Sequence, residues 1–135
     1  MTTLGPDADA VTVVEELARR FQAGDAAAAE LLHDRLRIQQ PQSFPHGGWH
    51  EGLAGMQEMG TVFSTHWDRE IRDYRVFGSG ARAVQLTTQT WTSKATGRSA
   101  TVDVAELVAV TDGKVSEIRV FQQDSHLLLA TLAPA

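Results

Sequence analysis

The stretch from Arg98 to Gln123, RSATVDVAELVAVTDGKVSEIRVFQQ, decides the fold of this chain. It divides at Asp112-Gly113 into two runs rich in β-branched residues, and Asp-Gly between such runs is the strongest short-range signal for a β-hairpin. Alternate residues of the first run share one face of a strand, namely Val102, Val104, Val108 and Val110. Glu106 falls on the same face. A carboxylate in that position lies either at a sheet edge or in a cavity, where burial raises its pKa and suits it to proton transfer.

The composition excludes several classes of function. With 135 residues, the chain is predicted to form one domain that buries a real core. Its formal charge of −5, without a cluster of Lys and Arg, argues against nucleic acid as a partner. The absence of cysteine excludes thiol catalysis and disulfides. No signal peptide or membrane-spanning stretch is recognisable, so we expect a soluble, cytoplasmic protein without a membrane partner.

Three helices are predicted in the first half of the chain, after a flexible leader over residues 1–9. Asp7 or Asp9 caps the first helix, whose predicted inner face has apolar residues at helical spacing: Val11, Val14, Leu17, Ala18 and Phe21. Gly24-Asp25 ends this helix and caps a short second one over residues 26–32. The third helix, over residues 53–66, turns a Met and Phe stripe inward.

Strands dominate the second half. A short strand over residues 36–40 ends at Pro41, and longer strands are predicted over residues 68–77 and 81–94. A break in parity between Ile71 and Tyr74 indicates a bulge. The sequence leaves open which face of residues 81–94 is turned inward. Helices followed by antiparallel strands, with a last short helix over residues 124–132, predict an α+β fold with the helices on one face of a curved sheet.

The loop PQSFPHGGWHEG, residues 41–52, keeps large aromatic and imidazole side chains within an irregular segment. Such a loop is more often part of a site than a plain connection. We therefore count Phe44, His46, Trp49 and His50 as candidate site residues. The alternative is that the histidines are solvated and that Trp49 only packs over the mouth of a cavity.

Three segments in this order, FQAGDAAAAELL (21–32), SFPHGGWHEG (43–52) and VTDGKVSEIRVF (110–121), give the chain a resemblance to the nuclear transport factor 2-like superfamily, which includes the SnoaL-like proteins. The resemblance covers residues 11–132. It implies a cone-shaped barrel, in which a curved, mostly antiparallel sheet wraps around three N-terminal helices and a short C-terminal helix follows. Pairing through the outer face of the sheet is common in this superfamily, and the outer residues Ala105, Leu107 and Ala109 are too apolar for open water. We therefore expect a homodimer.

The superfamily includes ketosteroid isomerases, SnoaL-like polyketide cyclases, epoxide hydrolases and proteins that only bind, so the fold does not choose the function. By this resemblance, the isomerase base falls on Gln40 and the isomerase tyrosine on Leu17, so neither group is kept. The buried carboxylic acid of the isomerases falls on Glu106. The acid/base histidine of the cyclases lies near the same place. The cyclase aspartate falls at about Gln122.

Two functions remain open. The first is a cofactor-independent isomerase or cyclase, with lyase or hydrolase chemistry as a variant, acting on a small, mostly apolar, polyketide- or steroid-like molecule. Its predicted catalytic residues are Glu106, His46 and His50. The alternative is a non-catalytic small-molecule-binding protein in which Glu106 only orients the ligand. A third interpretation of Glu106 is an edge carboxylate paired with Arg98, with Arg119 or with a cation on a helix.

The predicted ligand-binding residues are the inward-facing side chains of the cone and its loop: Gln40, Phe44, Trp49, Met56, Phe63, Gln85, Trp91, Val104, Val108, Ile118, Val120 and Gln122. Polar members of this set need a ligand or each other as partners. The remaining histidines lack the paired spacing of a metal site, so we expect no metal and no cofactor.

Overall fold

The computed structural model describes residues 4 to 134, and it has the α+β architecture that the sequence predicts. One six-stranded sheet runs in the order β2-β1-β6-β5-β4-β3. Its strands are β1 Leu32–Gln40, β2 Gly48–Glu51, β3 Trp67–Ser79, β4 Arg82–Ser93, β5 Ser99–Thr111 and β6 Lys114–Gln122. Neighbouring strands are antiparallel except for the parallel pair β1 and β6. The helices are α1 Ala10–Gln22, α2 Gly52–His66 and α3 Ser125–Ala130, with a 3₁₀-helix at Ala26–Leu31.

The predicted hairpin is confirmed at the turn between β5 and β6. Thr111 pairs with Lys114, and the two residues between them have positive φ, 55° at Asp112 and 73° at Gly113. Two successive positive φ values define the type I′ turn, whose twist matches that of the flanking strands. A Cβ on Gly113 would lie 2.3 Å from the carbonyl oxygen of Gly5, so the described part of the expected leader packs closely over this turn.

Helix α1 begins at the predicted cap, because the side chain of Asp9 accepts a hydrogen bond of 2.9 Å from the backbone of Thr12. Its inner face differs from the predicted one: Phe21 is half exposed and Arg20 is buried. Arg20 is buried together with its partners, since its Nε donates to Glu16 at 2.8 Å and its Nη1 to the carbonyl oxygen of Ala27 at 3.1 Å. The arginine therefore ties α1 to the segment that was predicted as a second α-helix and is a 3₁₀-helix.

The structure shows which face of β4 is turned inward, a point that the sequence left open. Odd-numbered residues of β4 face inward, and Trp91 and Gln89 are buried while their even-numbered neighbours are not. The bulge predicted in β3 is confirmed by a register shift between Arg72 and Arg75, with Asp73 at a φ of 56°. One strand was missed, since residues 48–51 were predicted as loop and form β2.

Helix α2 lies over one end of the sheet, in contact with β1, β2 and β3, and none of its residues is fully buried. Beneath it the core is aromatic: Trp67 and Trp91 are almost completely buried, with ring centroids 5.1 Å apart. Trp67 donates from Nε1 to Thr131 at 2.8 Å, which anchors the C-terminal segment after α3. Within residues 4 to 134, no helix is long and apolar enough to cross a membrane.

Candidate functional site

A cavity of about 70 Å³ lies between the inner face of the sheet and helix α2. It combines an aromatic and apolar wall with an unusual number of polar side chains. The residues around it are Gln40, His46, Met59, Gly60, Phe63, Arg69, Gln89, Trp91, Val104, Glu106, Val120 and Gln122.

Glu106 borders this cavity from the middle of β5, where it is paired with Gln85 of β4 and Val120 of β6. The side-chain amide of Gln85 donates a hydrogen bond to Oε2 of Glu106. Burial raises the pKa of the Glu106 carboxyl, and the Gln85 hydrogen bond and the positive charge of Arg69 offset only part of that rise. The group is thus a carboxyl held in one orientation, with a pKa above its ordinary value.

His46 borders the cavity from the loop between β1 and β2, and its ring is buried among aromatic side chains. Its centroid lies 5.1 Å from that of Phe44, with the rings stacked, and 5.3 Å from that of Phe63, edge to face. Desolvation lowers the pKa of His46 to about 4, with smaller contributions from His50, Arg69 and His66. The imidazole is therefore neutral at pH 7, with one nitrogen as donor and the other as acceptor.

His50 does not border the cavity. It lies on β2, and its Nε2 is 2.8 Å from the carbonyl oxygen of His46. In the structure, His50 thus supports the loop that carries His46. A catalytic role for either histidine stays a prediction.

Two glutamines flank the carboxyl from the ends of β1 and β6, Gln40 and Gln122. The Oε1 atoms of both, and Nδ1 of His46, are buried without a hydrogen-bond partner among the residues that the structure describes. Nε2 of Gln40 makes only a long contact of 3.5 Å to the sulfur of Met59. Buried polar atoms normally have partners, so three such atoms around one cavity indicate a place built for a polar ligand.

Four residues around the cavity were not among the predicted site residues, namely Met59, Gly60, Arg69 and Gln89, and Arg69 is the charged one. It is paired with Trp91 across β3 and β4, and its guanidinium carbon lies 4.9 Å from the centroid of Phe63. The parity needed to find it was available, because Arg69 shares a face with Ile71, two residues further along the strand. Ile71 itself is about half exposed, so this face of β3 is not marked as inward by apolar residues alone.

The predicted ligand-binding residues divide into two groups. Six border the cavity: Gln40, Phe63, Trp91, Val104, Val120 and Gln122. The other six do not: Phe44, Trp49, Met56, Gln85, Val108 and Ile118. Whether either group touches a ligand stays a prediction.

The residues away from the cavity have identifiable places. Phe44 and Met56 pack in or against the core, and Val108 pairs with Ile118 one inward step along β5 from Glu106. Gln85 does not border the cavity itself, but its side-chain amide donates to Glu106, which does. Trp49 lies on the outer face of the sheet, beneath the guanidinium of Arg37 at 4.1 Å, because residues 48–51 form a strand whose alternate side chains point outward.

No cluster of three or more His, Asp or Glu side chains able to hold a metal ion occurs between residues 4 and 134.

Comparisons with known proteins place this geometry in a family. The family model of the SnoaL-like domain matches residues 14–118, so the chain belongs to the SnoaL-like family. Among solved structures, it is similar to a nuclear transport factor 2-like protein from Burkholderia xenovorans, with a TM-score of 0.82, 19% identity, and 94% of this chain and 99% of that chain covered. It is similar to a protein of Pseudomonas putida provisionally assigned as a polyketide cyclase, with a TM-score of 0.76, 18% identity, and coverage of 93% and 99%.

A third similar structure is that of TerC, co-crystallised with polyporic acid, with a TM-score of 0.78, 20% identity, and coverage of 90% and 96%. At these identities the likeness establishes the fold. A search of curated protein sequences gives no significant match.

Proposed function

We propose that the protein is a cofactor-independent isomerase or cyclase that acts on a small molecule held in the cavity beneath α2. The observation that carries this proposal is the Glu106 carboxyl, which borders the cavity, is oriented by Gln85 and has a raised pKa. A general acid or base works best when its pKa lies near the working pH, and burial shifts a carboxyl in that direction. The family and the provisionally assigned polyketide cyclase of the same fold support this class of reaction.

The proposed reaction needs only proton transfers. The Glu106 carboxylate removes a proton from a carbon next to a carbonyl group, and the electron pair of the broken C–H bond moves onto the carbonyl oxygen. The neutral imidazole of His46 can donate a hydrogen bond to that oxygen. Return of the proton to a different carbon completes an isomerisation. Attack of the carbanion on a second carbonyl carbon of the same molecule, followed by proton return to its oxygen, completes a cyclisation.

The size of the cavity limits what fits in this conformation. A volume of about 70 Å³ is far below the roughly 300 Å³ at which pockets for drug-sized ligands begin. A polyketide- or steroid-like substrate therefore requires α2 to move outward. This helix is suited to such a movement, because it has no fully buried residue and begins at Gly52, whose φ is 68°.

The alternative, a protein that binds a small molecule without turnover, is supported by a separate observation. Gln40 occupies the position of the isomerase base, and an amide cannot accept a proton at neutral pH. In that case the unpartnered atoms of Gln40, His46 and Gln122 only hold a ligand.

Hydrogen exchange at carbon separates the two functions. The protein is incubated in D₂O with bicyclic ketones, 1-tetralone and 2-indanone, and loss of the α C–H signal is followed by NMR. An enzyme that removes such protons accelerates exchange, and Glu106→Gln abolishes the acceleration. Glu70→Gln is the matched control, because Glu70 is exposed on β3 and pairs only with Arg72. Binding of a ketone without accelerated exchange would favour the alternative.

A further inference from the structure

We propose that Arg69 makes the cavity selective for a substrate with an acidic oxygen group, a carboxylate or an ionised enol or phenol, on a planar ring that also carries hydroxyl groups. This inference rests on the proposed function and names its substrate class. Its test measures binding alone and does not depend on catalysis.

The position of Arg69 is the first step. The residue faces the inner side of the sheet opposite Trp91 and borders the cavity that Glu106 borders. Its guanidinium lies against the ring of Phe63, which holds it at the cavity wall. The residue is exposed to solvent, and the protein around its guanidinium lowers the pKa of that group by partial desolvation. An arginine nevertheless remains charged at any physiological pH.

The second step is that no side chain of the described residues neutralises the charge of Arg69 through direct contact. Arg19 and Arg20 pair with Glu16, and Arg72 pairs with Glu70. No side chain between residues 4 and 134 forms a hydrogen bond or a close ion pair with Arg69, whose interactions there are the ring of Phe63 and the longer-range charge of Glu106. Unlike an arginine on the outer surface, Arg69 borders the cavity, so its five N–H donors, in a planar fork that matches a carboxylate, are available to a ligand held there.

Glu106 does not neutralise Arg69 through direct contact. Glu106 and Arg69 interact electrostatically, but the two groups form no ion pair within 4 Å in the described structure. The hydrogen bond from Gln85 on β4 commits Oε2 of Glu106 to a neutral partner. The cavity therefore presents an uncompensated positive charge beside a carboxyl group that burial draws toward its neutral form, in a chain whose net charge is −5.

The third step concerns the rest of the ligand. The unpartnered Oε1 atoms of Gln40 and Gln122 accept hydrogen bonds and so match hydroxyl groups. Trp91 and Phe63 offer ring faces and edges with centroids 4.8 Å apart. A flat hydroxylated acid satisfies the arginine, the amides and the aromatic wall together, whereas a neutral hydrocarbon-like substrate would leave all the polar groups without partners.

The test uses two probes that differ mainly in charge, salicylate and its neutral amide, salicylamide. Their affinities are measured by isothermal titration calorimetry with wild type, Arg69→Met and Arg69→Lys. We expect wild type to prefer salicylate by about tenfold or more, which corresponds to about 1.4 kcal/mol. Arg69→Met should bind both probes within about twofold of each other, and Arg69→Lys should keep part of the preference because it keeps the charge without the planar fork.

The controls separate this inference from the proposed reaction. Arg72→Met removes a neighbouring arginine on the outer face and should keep the preference in full. The preference is measured as binding without turnover, so a protein that proves inactive can still confirm the anion site. Equal affinity of wild type for the two probes, failure to bind salicylate at millimolar concentration, or an unchanged preference in a folded Arg69→Met variant would overturn the proposal.

Discussion

The side-chain amide of Gln85 donates a hydrogen bond to the carboxylate of Glu106 from the directly opposite position on the neighbouring strand. Because the two residues form a cross-strand pair, the sheet fixes both ends of this hydrogen bond. The carboxyl group is thereby held toward the cavity with one oxygen committed and the other available.

Replacing Gln85 is expected to raise the pKa of Glu106 further. The Gln85 hydrogen bond favours the ionised carboxylate, so Gln85→Met removes a contribution that lowers this pKa. The midpoint of the Glu106 titration, followed by NMR of ¹³C-labelled glutamate, should move upward relative to wild type. Gln57→Met, on the exposed side of α2, should leave it in place. A downward shift in Gln85→Met would show that the hydrogen bond does not stabilise the charged form.

Glu106→Gln is expected to stabilise the protein at neutral pH. Since the pKa of Glu106 is higher in the folded state, its contribution to stability is complete below the unfolded value of about 4.3 and is lost as pH rises toward the folded value. The variant has no such loss. Its melting temperature should exceed that of wild type by a few degrees at pH 8, with the gain shrinking at pH 4. Glu70→Gln should show no comparable gain, and a lower melting temperature for Glu106→Gln at pH 8 would contradict the burial argument.

His46 is expected to make the fold sensitive to acid. Its pKa falls from 6.5 to about 4 on folding, so the unfolded chain binds a proton between these values that the folded protein does not. Its contribution to stability is therefore present above pH 6.5 and declines by on the order of 3 kcal/mol as pH falls to 4. His46→Phe keeps an aromatic ring and should remove this decline.

The measurement is the free energy of unfolding in urea, determined at several pH values between 4 and 7. His33→Phe is the control, because His33 is more exposed, on β1 far from the cavity. If wild type and His46→Phe show parallel pH dependence, the imidazole is not buried in its neutral form.

The outer face of the sheet is expected to form a homodimer. Phe77, Leu107 and Phe121 are each about half exposed there, at 54%, 43% and 47%. Val84 of β4 is the cross-strand partner of Phe77 on β3 and of Leu107 on β5, so the apolar surface is continuous across these three strands. Light scattering at micromolar concentration should give twice the monomer mass. The double substitution Leu107→Glu and Phe121→Glu should give a monomer, whereas Thr101→Glu, on the same face but outside the patch, should not. A monomeric wild type would rule the interface out.

The sequence was enough to predict most of the fold and eight of the twelve residues that border the cavity. Alternation in residues 98–123 was enough to predict the hairpin and to place Glu106 on the inner face, because a strand has only two faces and one of them was filled with valines. It failed where a partner outside the local pattern decides the outcome. Arg20 is buried because Glu16 and a carbonyl oxygen accompany it, and Trp49 points outward because four loop residues join the sheet as β2.

Arg69 shows a different limit. Its inward parity is visible in the sequence, but its contact with Phe63 arises from the packing of α2 against the sheet, and its place near Glu106 from the pairing of β3 and β5 with β4. Side-chain contacts between different elements cannot be deduced from periodicity alone.

The most direct test of the central claim is to measure turnover and ligand affinity side by side for wild type and Glu106→Gln, with a ketone that wild type deprotonates. The substitution keeps the size of the side chain and one hydrogen-bonding oxygen but removes the base. We predict that kcat falls by about a hundredfold or more while the dissociation constant changes by less than about threefold. An unchanged kcat in Glu106→Gln would contradict the account and would move the search for the base to His46.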